Sequence, residues 1–266
     1  MENDETRLRH FAREVARLRQ SATASKPYVA AIKQFQRDRL ARTHADLLQA
    51  DRYHLAARFF LDELYGVKDF SSRDAELARM IPSMARLLPS SALGAIADAV
   101  ELDAISEQLD DAMAALLQAA TASDRPPQAA AASTDGAPAP LTEERYFEFY
   151  RATGKPDLRA RQIALIEDIG RELDRLLGKP FLYRILKGME RPARMAGLGQ
   201  MQAFLVSGFE AFRAMKGADH FIRTVVSRER ELMTQAFAAG TNPPAADAAS
   251  TGAAGKDAIA GRGSEI

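Results

Sequence analysis

The chain has 266 residues, 47% of them hydrophobic, with 36 Lys/Arg against 36 Asp/Glu and no cysteine. A formal charge of zero gives no overall pull toward nucleic acid or anionic lipid, and the lack of cysteine excludes disulfides, thiolate nucleophiles and thiolate-held metals. No apolar run reaches the roughly 18 residues that would span a membrane, the acidic start Met1-Glu2-Asn3-Asp4-Glu5 lacks the apolar core of a secretory signal, and a cytoplasmic location is expected.

Apolar residues recur at helical spacing along almost the whole chain. Leu8, Phe11, Val15 and Leu18 predict a narrow-striped helix over 4–21, ringed by arginines. Pro27 suits the first turn of a second helix, about 27–49, because its missing N–H costs nothing there. The densest run, Arg58-Phe59-Phe60-Leu61-Asp62-Glu63-Leu64-Tyr65-Gly66, predicts the end of a middle helix, about 51–65, that the others cover. Ser71, with Asp74 three residues on, has the form of a capping box opening the next helix, and Pro82 is expected to kink or split it. A long helical stretch, about 91–120, has room to divide near Leu102-Asp103.

Residues 122–140 hold almost no large apolar side chains and predict a disordered linker. Beyond it, Thr142 is a good N-cap for a short aromatic helix, Pro156 opens a clean helix to about 177, and shorter helices follow near 180–190, 198–215 and 218–238. From residue 239 the composition predicts a disordered tail. The fold class is therefore all-α, an antiparallel multi-helix bundle. Its N-terminal half, 1–121, and its C-terminal half, 141–238, are expected to pack as one domain.

The neutral total hides local imbalance. Residues 1–50 carry ten bases against six acids, 51–122 six against twelve, and 141–240 seventeen against thirteen. Ordinary attraction between helices accounts for this more readily than a basic face awaiting an acidic partner.

Few constellations carry chemistry. Asp51-x-x-His54 is the only ligand-like spacing for a histidine, and Asp51 is also a natural N-cap, so no metal or other cofactor is expected. Asp62, Glu63, Asp69, Arg73 and Asp74 form a candidate polar cluster at a helix-to-helix turn. Paired carboxylates there could do acid–base work if burial raised one of them, but caps and ion pairs explain the same residues. No catalytic residue is assigned.

Around Lys179, Phe181, Arg184, Ile185, Lys187 and Arg191 the chain is basic and amphipathic, with Phe181, Leu182, Ile185, Leu186 and Met189 as the apolar face. Such a piece suits a partner groove or an anionic membrane surface, although a short core helix is the commoner origin of the pattern.

The run Phe59-Phe60-Leu61-Asp62-Glu63-Leu64-Tyr65-Gly66, then Asp69-Phe70 and Arg73-Asp74, resembles an uncharacterised family of proteobacterial proteins. Leu198 to Leu205 and Gly208 to Ala218 resemble that family's second block, and the likeness covers roughly 50–115 and 141–235. It implies relationship, and a bacterial source that the alanine- and arginine-rich composition also suits, but no activity.

The reading that follows is a non-enzymatic protein-interaction or regulatory protein, with a protein partner and without nucleic acid. Two alternatives stand beside it. One is a helical enzyme or apolar-ligand binder, which needs a pocket above about 300 Å³ between the halves. The other is peripheral membrane association through 179–194.

Overall fold

A computed structural model describes residues 3–21, 26–64, 66, 70–123, 138 and 140–239. Every regular element among these residues is helical. In chain order they are α1 (Asp4–Ser21), α2 (Lys26–Thr43), α3 (Ala45–Gln49), α4 (His54–Phe59), a π-helical turn (Phe60–Leu64), α5 (Ser71–Leu87), α6 (Ser90–Ser123), α7 (Glu143–Ala152), α8 (Pro156–Leu177), α9 (Pro180–Gly188), α10 (Glu190–Met195), α11 (Gly199–Ala214) and α12 (Asp219–Ala238). No helix is long and apolar enough to cross a membrane among the described residues. The expected linker falls mostly, and the expected tail almost wholly, outside them.

The organising element is α6, not the middle helix that the phenylalanines suggest. It runs 34 residues without dividing at Leu102-Asp103. Buried residues fall all round it, and α1, α2, α5, α7 and α8 pack against it. A helix buried all round is one that others surround. Two of its neighbours run in opposite senses. Arg7 reaches Asp98 and Arg19 reaches Glu107, so α1 runs with α6; Arg159 reaches Met113 and Arg161 reaches Glu101, so α8 runs against it.

The middle segment differs from expectation. Instead of one helix over 51–65 there is a turn, the short α4 and the π turn. Leu55 and Leu64 are exposed, while Phe59 and Phe60 are half-buried against different partners. Phe59 meets Phe204, and Phe60 meets Phe212 and Phe221, so two adjacent rings serve two clusters.

The core is accordingly divided around α6. One cluster joins α1, α5, α6 and α11 through Leu8, Ile81, Ala97 and Met201. Another joins α3, α4, α8, α11 and α12 through Leu47, Ala56, Ile163, Phe212 and Phe221. A third gathers Ile32, Met113, Tyr146 and Phe149. Helices from before and after the undescribed 124–137 segment thus share core contacts.

Several helix ends are closed by distant side chains. Glu76 accepts from the Met201 N–H at 2.7 Å, and Asp174 from the Ala218 N–H at 2.9 Å, which satisfies orphan donors at the starts of α11 and α12. Arg52 donates to the carbonyls of Met215, Lys216 and Gly217 at the end of α11. Local caps fare unevenly. Thr142 accepts from the Arg145 N–H as expected, but Ser71 is already helical, its N-cap is Phe70, and Asp74 turns away to Arg19. Asp51 offers His54 its backbone carbonyl, at 2.9 Å, rather than capping α4, whose N-cap is Tyr53. Pro82 lies inside α5 without ending it.

Close packing of α8 on α12 turns on Gly170, where an added Cβ would lie 2.8 Å from Ile222 Cγ1. The better helix propensity of alanine is worth about 1 kcal/mol, and overpacking costs about 1–3 kcal/mol. Gly170→Ala is expected to lower stability overall, as read by chemical denaturation; a more stable variant would show that Ile222 yields freely.

Candidate functional site

Of the five residues in the expected polar cluster, the structure brings two into a buried site. Asp62 is exposed and pairs with Arg37 at 2.8 Å. Glu63 contributes its backbone carbonyl, which accepts from Arg73 Nη1 at 3.0 Å. Asp69 lies outside the described residues. Arg73 and Asp74, on the first turn of α5, turn inward and meet side chains from three other helices.

Arg19 of α1 is the hub. It bonds Asp74, reaches Asp103 at 2.7 Å and donates from Nε to Glu107 at 3.0 Å. Lys33 of α2 binds the same Glu107 oxygen at 2.6 Å, and Gln36 donates to Asp110 at 2.7 Å. Asp103, Glu107 and Asp110 follow at i, i+4 and i+7 and therefore share one face of α6. Sequence reasoning missed all three, together with Arg19 and Lys33. The signal was present in that carboxylate spacing inside a helix rich in Ala, Leu, Ile and Met.

Their surroundings push these carboxyls apart. Burial raises Asp103, with Glu107 and Asp74 adding to the rise and Arg19 opposing it. Burial also raises Asp110, to about 6. Burial works upward on Glu107 too, but Lys33 and Arg19 outweigh it and hold that group low. Arg73 is lowered by burial; its guanidinium lies 4.1 Å from the Phe70 ring centroid and 4.7 Å from that of Phe204.

The cluster forms one wall of a cavity of about 170 Å³. Asp103 keeps 30% of its side chain accessible although it is deep in the bundle, because it borders this space. The other walls are apolar and come from both halves of the chain, among them Leu40, Phe60, Val100, Ile166, Phe204 and Phe221. The volume falls short of the roughly 300 Å³ typical of sites for drug-sized molecules.

A second ion group closes the other side. Glu229 of α12 takes Arg39 through both carboxylate oxygens, at 2.9 and 2.7 Å, and His44 Nε2 at 3.2 Å. Burial would raise this carboxyl, yet His44 and Arg39 together hold it down at about 2. Nearby, Arg159 is buried over the Tyr150 ring at 4.2 Å, and burial lifts the Tyr150 phenol to about 12.

The basic amphipathic segment is a surface feature. Leu182 and Leu186 are half-buried, and Tyr183 stacks on Phe209 of α11 at 5.5 Å. Phe181, Ile185 and Met189 point the other way and are 51%, 55% and 45% exposed; Met195 of α10 is 90% exposed. Of the nearby cations, Lys187 pairs with Glu210 at 2.8 Å and Arg194 with Glu190 at 3.0 Å. Lys179, Arg184 and Arg191 are exposed beside the apolar stripe.

A family model described as "Domain of unknown function (DUF8198)" matches residues 15–243, and the chain belongs to that family. No curated protein and no solved structure matches the sequence.

The carboxyl shifts set opposite pH trends. Asp110 holds its proton more tightly folded than unfolded, so its stabilising contribution is full below about pH 4 and is lost as pH rises through about 6. Asp110→Asn keeps an acceptor for Gln36 and removes that loss. It is expected to gain up to about 3 kcal/mol above pH 7 and nothing near pH 4, by urea denaturation across pH. Glu229 behaves in the reverse sense, its contribution being present at neutral pH and lost as pH falls through about 2. Glu229→Gln is expected to cost about 3 kcal/mol at pH 7, and the gap to the parent should narrow as acid is added. A gap that holds constant from pH 7 to pH 3 would contradict the assigned ion pair.

Proposed function

We propose that this member of the DUF8198 family is a non-enzymatic interaction protein whose docking face is formed by α9 and α10, and that its partner is an acidic protein surface with an apolar groove. What carries the reading is the exposed stripe of Phe181, Ile185 and Met189, with exposed Met195 on the next helix and with Lys179, Arg184 and Arg191 exposed on the same stretch of chain. Exposed apolar side chains gathered in a patch mark interaction sites more often than scattered ones do. The stripe repeats every four residues over about 12 Å of helix, the spacing with which a helix anchors in a groove.

A lipid surface is the competing occupant. It is disfavoured by the length of α9, nine residues, and by the two cations already held by Glu210 and Glu190. Helices that lie on bilayers rely on longer apolar faces and on uncommitted positive charge.

The internal charges support the same division of labour. The acidic excess of 51–122 meets the basic excess on either side largely within the fold, so the uneven charge along the sequence does not by itself call for a partner. The exposed face of α9 does.

The test is site-specific crosslinking in the native host with a photoreactive residue at Ile185 and a control at exposed Arg223. The expected result is one discrete adduct from position 185 only, with a partner segment rich in Asp/Glu, weakened at high salt and abolished by Phe181→Ser at unchanged melting temperature. Adducts of equal yield from both positions, or co-sedimentation with anionic vesicles that Phe181→Ser abolishes while no protein adduct forms, would remove the reading.

A further inference from the structure

The interior cavity has features that docking through α9 does not use. Its volume, about 170 Å³, exceeds that of cavities of about 150 Å³ that bind benzene, so it is large enough for a one-ring molecule or a short branched chain. Its apolar walls are contributed by helices on both sides of residues 124–137.

The polar wall is not charge-balanced. Among the described residues, Asp74, Asp103, Glu107, Asp110 and Glu229 line it with Lys33 and Arg73; adding Arg19 and Arg39, which do not line it but bond these acids, gives five carboxylates to four cations. Asp103 is the most open of the paired carboxylates in the group, and among the described residues only its Oδ1 carries a hydrogen bond, to Arg19. On the opposite side His44 lines the same space. It is buried, Glu229 takes its Nε2, and its Nδ1 has no hydrogen-bond partner among the described residues. The fold thus leaves an accessible carboxylate and an unsatisfied imidazole nitrogen around an apolar hollow.

We infer that the cavity is a binding site for a compact organic ammonium ion, its apolar body among Leu40, Phe60, Phe204 and Phe221 and its charged nitrogen at Asp103. An ammonium supplies three donors and the one positive charge that the wall lacks. A carboxylate ligand would meet the acidic excess, and a neutral alcohol would leave it uncorrected. The site is independent of the α9 face, so either can fail alone.

Met201 lines the cavity, whereas Met195 is 90% exposed and does not line it, which provides an internal control. The experiment uses the full chain with 13C-labelled methionine methyls, titrated at neutral pH with 2-phenylethylamine, 2-phenylethanol and 3-phenylpropionate. The Met201 methyl, assigned through Met201→Leu, is expected to shift saturably with the amine and the Met195 methyl to stay fixed. The amine should bind at least tenfold more tightly than the alcohol or the acid. Asp103→Asn should bring the amine down to the affinity of the alcohol, and Val225→Phe, which fills the hollow, should abolish binding of both. Equal binding of amine and alcohol to the parent chain, preference for the acid, or a Met201 methyl unmoved by the amine would each overturn the inference. The comparison among probes needs only the parent chain, so it stands even where a variant fails to fold.

Discussion

A carboxylate buried in a helical bundle must be matched by a cation or lose its charge, and α6 carries several. Asp98 and Glu101 hold Arg7; Glu101 also holds Arg161; Asp103 and Glu107 hold Arg19; Glu107 also holds Lys33. The cations come from α1, α2 and α8, which are far apart in sequence and all pack on α6. Such pairs add little net energy over apolar side chains of similar volume, but breaking one costs about 3–5 kcal/mol. Their effect is to define which helix meets α6 and at what height. Sliding α1 by a turn would strand Arg7 and Arg19 together.

This explains how much was legible beforehand. Helix periods were readable because each stripe is local: Leu8, Val15 and Leu18 are buried as their spacing requires. Thr142 was readable because its cap is local too. Ser71 and Asp51 misled because the same residue types serve turns, caps and long-range pairs, and here Asp74 is drawn away by a guanidinium 55 residues distant in sequence. The starts of α11 and α12 carry no local cap signal, since Glu76 and Asp174 supply the acceptors from other helices.

The phenylalanine-rich middle segment was overweighted for a related reason. Hydrophobic density predicts burial only if the segment is regular, and this one breaks into a turn, a six-residue helix and a π turn, leaving Leu55 and Leu64 to solvent. The truly central helix was harder to recognise because acids interrupt its apolar faces. Those acids read as a solvated side until Arg19, Lys33 and Arg161 are seen to arrive from elsewhere. Likewise the amphipathic face near Ile185 was visible as a pattern. Only the packing of Tyr183 and Leu186 on α11 settles which of its apolar residues are left outside.

The π turn at Phe60–Leu64 gives the fold a sensitivity to length rather than to residue type. A π turn holds one residue more than the α turn it replaces, and each helical residue rotates its successor by about 100°. Phe59, at the end of α4, faces Phe204, and Phe60, at the start of the π turn, faces Phe212 and Phe221. Conservative exchanges among these rings would leave the phase of the chain intact. Loss of a single codon here would instead rotate the residues up to Leu64 by about 100° relative to α4, taking the Glu63 carbonyl away from Arg73.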